Sequence, residues 1–171
     1  QRNSAAIMLN EQYRMNEHIM NFSNEQFYEG DLIANNEVAQ WKVFSEDLPV
    51  EFVDTAGTGF EEMIDEDSRS TYNKEEARLL LNHFQEYMLM LDEETKKGVT
   101  IGIITPYRAQ VECINQAIID ANIPAELRKQ IKVNTVDSFQ GQERDVIYIS
   151  LVRSNDKGEI GFLSDKRRMN V

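Results

Sequence analysis

The sequence predicts an α/β domain with a mainly parallel sheet and helices on both faces. Two short runs, Ile101-Gly102-Ile103-Ile104 and Val146-Ile147-Tyr148-Ile149, are almost continuously apolar, as strands covered on both faces are. Two longer stretches repeat their apolar residues at steps of three and four, the period of a helix with one buried face. The two kinds of segment alternate, and strand–helix alternation builds parallel sheets with right-handed crossovers.

Along the chain, residues 17–28 read as a helix that must pack Ile19, Met20, Phe22 and Phe27. Val50-Glu51-Phe52-Val53-Asp54 reads as a first strand, and residues 57–70, with Glu61-Glu62 and Asp65-Glu66-Asp67, as an acidic surface loop, either solvated or held in an intramolecular or partner contact. A helix follows over 73–91, burying Ala77, Leu80, Leu81, Phe84, Met88 and Leu91. Asn73 suits its N-cap, and Glu75 and Glu76 sit in the first turn, where the helix dipole favours acids. Residues 99–105 read as strand and 107–121 as helix, with Val111, Ile114, Ile118 and Ala121 on one face and Pro106 at its start. Strands over 131–136 and 146–152 complete the pattern.

At 171 residues, 41% apolar and 28% charged, the chain suits one globular domain. No apolar run approaches the roughly 20 residues that span a bilayer, so no membrane partner is expected. A lone cysteine, Cys113, excludes an internal disulfide and a Cys-based zinc site and points to a reducing, intracellular compartment. The net charge of −12, from 18 Lys and Arg against 30 Asp and Glu, opposes broad polyanion binding. Screening over about 8–10 Å still lets a local basic cluster act on an acidic protein.

In open parallel sheets, ligands bind beyond the carboxyl ends of the strands. That rule selects Asp54-Thr55, Thr105-Pro106-Tyr107-Arg108, residues 137–143 and Arg153-Ser154-Asn155 as one polar rim. Arginines suited to phosphate are Arg14, Arg108, Arg153, Arg167 and Arg168, with hydroxyls at Thr135, Ser138 and Ser154. No G-x-x-x-x-G-K-[ST] loop occurs, so the chain lacks the P-loop grip on a nucleotide. Asp137, Glu143 and Asp145 lie close in sequence, but no histidine accompanies them, and no metal site is assigned. The residues alone leave plain roles open: Arg14 as an ion-pair former with Glu11 or Glu17, Tyr13 as core, Asp137 and Glu143 as caps, Gly141 as a backbone requirement.

Four ordered blocks then matter together. Gln12-Tyr13-Arg14-Met15 with Phe27-Tyr28-Glu29-Gly30-Asp31-Leu32, and Ile101-Gly102-Ile103-Ile104-Thr105-Pro106-Tyr107 with Gln110, are the first two. The third is the polar run Thr135-Val136-Asp137-Ser138-Phe139-Gln140-Gly141-Gln142-Glu143-Arg144-Asp145, followed by residues 150–155. The fourth is Gly161-Phe162-Leu163-Ser164-Asp165 with Arg167-Arg168-Met169-Asn170-Val171. In this order they resemble superfamily 1 helicases related to the nonsense-mediated-decay helicase.

The resemblance implies the second RecA-like domain of an ATP-dependent 5′→3′ helicase, a P-loop NTPase-type fold without the P-loop. It extends over 1–171, with a helical lead-in at 1–45 and a sheet core at 46–171, and looks cut at its C-terminal end. It implies ATP with Mg²⁺, the metal ligands lying on a first RecA-like domain, and single-stranded RNA or DNA as partner. By this resemblance Arg14 reaches the γ-phosphate, and Arg167 and Arg168 open the last catalytic motif. Gln12 and Tyr13 face the nucleotide, Tyr13 stacking on adenine, while Gly141 and Glu143 lie near the ribose. Thr105, Pro106, Tyr107, Thr135, Asp137 and Ser138 follow the nucleic-acid backbone. The chain departs from the family in having Asn16-Glu17 where His-Pro is common, and in stopping before the stretch that follows Arg-Arg-x-Asn-Val. A noncatalytic helicase-like binding module is the alternative, and a carboxylate-metal nuclease a distant third.

Overall fold

The computed structural model describes residues 9–164, with backbone alone at 162 and 163, and separates into two compact units between Val53 and Asp54. In the first unit, β1 (Glu11–Gln12) pairs in parallel with β2 (Ile33–Ala34), and α1 (Glu17–Phe27) lies between them in the chain. Asn16 starts the helix from a buried position: its Oδ1 accepts from His18 N at 2.9 Å and its Nδ2 donates to Trp41 O at 2.9 Å. Asn16, one of the two residues at which the chain departs from the family it resembles, thus serves as a cap. The helix ends at Tyr28, and Glu29 and Gly30 then turn the chain with φ of 55° and 84°. Of the four apolar side chains assigned to pack, Met20 is buried, while Ile19 and Phe22 stay exposed.

The second unit begins with a hairpin, β3 (Met63–Ile64) antiparallel to β4 (Thr71–Tyr72). Next come α2 (Lys74–Met90), α3 (Glu93–Gly98), β5 (Ile101–Thr105), α4 (Arg108–Asp120) and α5 (Ala125–Arg128). Then follow β6 (Ile131–Thr135), α6 (Val136–Phe139), β7 (Val146–Ile149) and a 3₁₀ turn over Gly161–Ser164. Asn73 caps α2, its side chain accepting from Glu76 N at 2.9 Å, as its sequence position implies.

The sheet runs β6-β5-β7, all parallel, with every residue of β5 buried. In the register, Ile103 faces Val133 on one side and Tyr148 on the other. Side chains alternate between faces along a strand, so Ile101, Ile103 and Tyr148 share one face. Phe84 of α2 meets Tyr148 edge-on at 6.3 Å, and α4, with Ile114 and Ile118 buried, packs beside α2. Phe84, Ile101, Ile103 and Ile114 are fully buried, each contributing roughly 1.5–3 kcal/mol. On the opposite face Gly102 is required for space. A Cβ there would lie 2.6 Å from both Ile147 Cδ1 and Phe139 Cζ. Phe139 of the one-turn α6 thus presses onto the sheet backbone.

Three sequence expectations change. Residues 50–54 form no strand; Val50 and Phe52 stay 59% and 78% exposed, since alternation without a neighbouring strand has no ladder to join. The 57–70 segment is not all loop, because it contains β3 and the β3–β4 turn, and of the two readings open for its acids Glu62 takes the intramolecular contact. β7 is covered less than a continuous apolar run implies. Its Ile147 and Ile149 are 42% and 53% exposed, because the single turn of α6 covers little of that face. Among the described residues, no helix is long and apolar enough to cross a membrane.

Candidate functional site

Because β5, β6 and β7 are parallel, their carboxyl ends reach one rim, and a groove of about 840 Å³ opens there. Pro106 and Tyr107 line it from the end of β5, Thr135 and Asp137 from the end of β6, and Arg153 from beyond β7. Arg69, Ser70 and Thr71 of the hairpin and Arg108 at the start of α4 also line it, with Gly161 and Ser164. Ser70 Oγ accepts from Ala109 N at 3.1 Å, which ties the hairpin to the first turn of α4.

A buried polar network sets the loop after β7. Gln110 Oε1 accepts from Asn73 N at 2.8 Å, and its Nε2 donates to Asn73 O at 3.1 Å and Ser150 Oγ at 3.0 Å. Ser150 Oγ donates to Glu76 Oε1 at 2.9 Å. The Glu76 carboxylate also accepts from Val152 N, at 3.1 and 3.0 Å to its two oxygens. Val152 needs that hold. It is fully buried with φ of 74°, a conformation costing a β-branched residue on the order of 1–3 kcal/mol. The turn it makes carries Arg153 to the groove.

Glu62 anchors the next step. Its Oε2 accepts from Arg153 Nε at 2.8 Å, Ser154 N at 2.9 Å and Asn155 Nδ2 at 3.2 Å. Burial pushes the Glu62 carboxyl up, but those donors outweigh it and hold the group below the ordinary carboxylate range. Arg153 Nη1 donates to the Tyr107 hydroxyl at 3.2 Å. That bond, with the Glu62 pairing, holds the Arg153 guanidinium above its ordinary range despite burial. Glu62 and Glu76 were invisible as site residues in the sequence, since their partners lie 91 and 76 positions away.

Of the six residues assigned to nucleic acid, Pro106, Tyr107, Thr135 and Asp137 line the groove. Ser138 joins them through a 3.1 Å hydrogen bond with Thr135 Oγ1. Thr105 lies apart from them. It is fully buried as the last residue of β5, and its Oγ1 has no hydrogen-bond partner among the described residues, so it does not reach the groove surface. Gly141 has φ of 78° with open space at its Cβ position, so its need is conformational. Glu143 is exposed, and its carbonyl accepts from Arg144 Nη1 at 2.5 Å. Among the described residues, no group of three or more His, Cys, Asp and Glu is placed to hold a metal ion.

In the first unit, Gln12 ties off a turn with its own side chain. Oε1 accepts from Arg14 N at 2.8 Å and Met15 N at 2.9 Å, and Nε2 donates to Met15 O at 2.7 Å. Its carboxamide is therefore committed to shaping the turn that presents the next two residues. Tyr13 is 62% exposed rather than core, and Arg14 is exposed beside it. The hydrogen bond and charge of Glu11 push the Tyr13 phenol above its ordinary value. Arg167 and Arg168 lie outside the described residues.

A parallel sheet with helices packed on it and a polar groove at its strand ends defines a RecA-like, P-loop NTPase-type α/β domain. The chain belongs to the AAA domain family, which matches residues 1–171, and its relatives place it with superfamily 1 helicases. It is 39% identical to DNA polymerase alpha-associated DNA helicase A of Saccharomyces cerevisiae, over 95% of this chain and 25% of that protein. It is 35% identical to DNA-binding protein SMUBP-2 of Mesocricetus auratus, over 98% of this chain and 17% of the relative. A Methanocaldococcus jannaschii protein named as an ATP-dependent helicase is 35% identical over 94% of the chain and 24% of its own length. The chain thus spans a quarter or less of these relatives.

Proposed function

We propose that this chain is the second motor domain of an ATP-dependent 5′→3′ helicase acting on single-stranded RNA or DNA. The observation that carries the reading is the strand-end groove, which gathers Pro106, Tyr107, Thr135 and Asp137 with Ser138 bonded behind them. Arg69 and Arg108 supply positive charge at that groove, and the Thr135 and Ser138 hydroxyls supply hydrogen bonds to phosphate and ribose. Contacts of this kind follow the backbone, so base preference is slight. The names of the relatives support nucleic-acid binding and ATP use.

In this reading a first RecA-like domain of the same intracellular protein brings the P-loop and the Mg²⁺ ligands. ATP supplies the phosphoryl transfer. Tyr13 stacks on the base, Gly141 and Glu143 border the ribose, and Arg14, with Arg167 and Arg168, faces the γ-phosphate. A guanidinium donates two aligned hydrogen bonds to oxygens that gain charge during transfer. Carrying it on a second domain makes hydrolysis depend on closure, the two-state element a motor requires. The 171-residue chain alone, without a P-loop, is expected to hydrolyse no ATP.

The groove is tested by titrating salt against oligothymidylate binding to the full-length protein. Arg108→Ala should weaken binding and reduce the slope of log K against log salt by roughly 0.7, one phosphate contact. An unchanged slope would remove the groove from the strand path.

A further inference from the structure

Arg153 lines the groove, yet every nitrogen of its guanidinium is engaged. Nε donates to Glu62, Nη1 donates to the Tyr107 hydroxyl, and Nη2 lies 3.9 Å from Glu159 Oε2. The Arg153 and Glu62 side chains are only 13% and 15% exposed, so solvent screens the pair weakly. The backbone locks the same contact, with Glu62 N donating to Ser154 O at 3.2 Å and Ser154 Oγ to Phe60 O at 2.6 Å. Gly161 seals it from above. With φ of 52°, it approaches so closely that a Cβ would lie 2.3 Å from Arg153 Nη1 and 2.8 Å from the Tyr107 hydroxyl. Arg108 is different: its side chain is 84% exposed, with Glu112 at 3.5 Å on the open helix surface. Such exposed pairs exchange readily with a phosphate.

We propose that Glu62 is a positioning residue that masks Arg153 from the nucleic-acid strand, cancelling its charge and turning its guanidinium onto Tyr107. Phosphate grip in the groove then comes from Arg108 and Arg69, and Arg153 serves as a rigid wall. A strand that must advance along the groove has to release each phosphate it meets, and a third unmasked arginine would hold it longer. This inference rests on the groove being the single-strand site.

The test is oligothymidylate binding to the full-length protein across a salt titration. Glu62→Gln keeps the shape and an acceptor for Arg153 Nε but removes the charge. It should bind several-fold more tightly, with a slope steeper by up to roughly 0.7. The double variant Glu62→Gln, Arg153→Met should lose that gain, which a merely structural role for Glu62 would not produce. Glu159→Gln, at a side chain 65% exposed, removes the second carboxylate without disturbing the fold and should give a smaller gain of the same sign. If neither single variant steepens the slope while Arg108→Ala still lowers it, masking is wrong and the groove stands. Weaker binding by Glu62→Gln also overturns masking. If Arg108→Ala and Glu62→Gln both leave the slope unchanged, the groove reading fails and the masking fails with it.

Discussion

Single side chains hold this site against local preference. Val152 is the clearest case, a β-branched residue in the left-handed region whose amide is gripped by both oxygens of Glu76. Glu76→Ala would leave that amide and the buried Ser150 hydroxyl without their acceptor, and hydrogen bonds to a charged group contribute about 1.5–3 kcal/mol. The variant is therefore expected to lose about 2–3 kcal/mol of stability in denaturant unfolding, with Glu76→Gln losing less. A loss below about 0.5 kcal/mol would mean that Val152 holds its turn unaided. Gly102 and Gly161 act by omission, each leaving out a side chain where neighbouring atoms already fill the space.

At the scale of elements, the 57–70 segment is the part most changed by the structure. Its charges left solvation and an intramolecular contact both open, and Glu62 pins it to the loop after β7. A carboxyl held below its unfolded value contributes stability that is present above about pH 4.3 and is lost as pH falls through the lower folded value. Thermal midpoints measured from pH 6 down to 3 should therefore fall more steeply for the wild type than for Glu62→Gln. Parallel curves would show that the docking does not depend on the Glu62 charge. β5, β6, α2 and α4 were legible because period and burial are local signals, and Asn73 was legible because a cap is too. The absent strand at 50–54 was not, because alternation marks a strand only where a neighbour completes its ladder. The Glu62–Arg153 and Glu76–Val152 contacts were not, because no local pattern records a partner 91 or 76 residues away. Part of the rim was legible through topology, since Pro106, Tyr107, Arg108, Asp137 and Arg153 do line the groove, whereas Asp54-Thr55 has no strand to end and Thr105 is buried.

For the whole molecule, the residues proposed for function fall on two compact units. Gln12, Tyr13 and Arg14 lie on one, and the groove with Gly141 and Glu143 on the other. The first unit spends Gln12 on presenting an exposed aromatic and an exposed arginine, and the second spends a buried polar network on shaping a groove. The curated relatives are four or more times longer than the region they share with this chain, so the motor role remains the proposal made above. The central claim is that Arg14 completes a nucleotide site. Steady-state ATP hydrolysis by the full-length protein with saturating oligothymidylate tests it most directly. Arg14→Ala should lower kcat by about 10³-fold or more while KM for ATP changes little, as loss of an arginine finger does. An unchanged kcat would contradict the account and make Arg14 a residue of the turn alone.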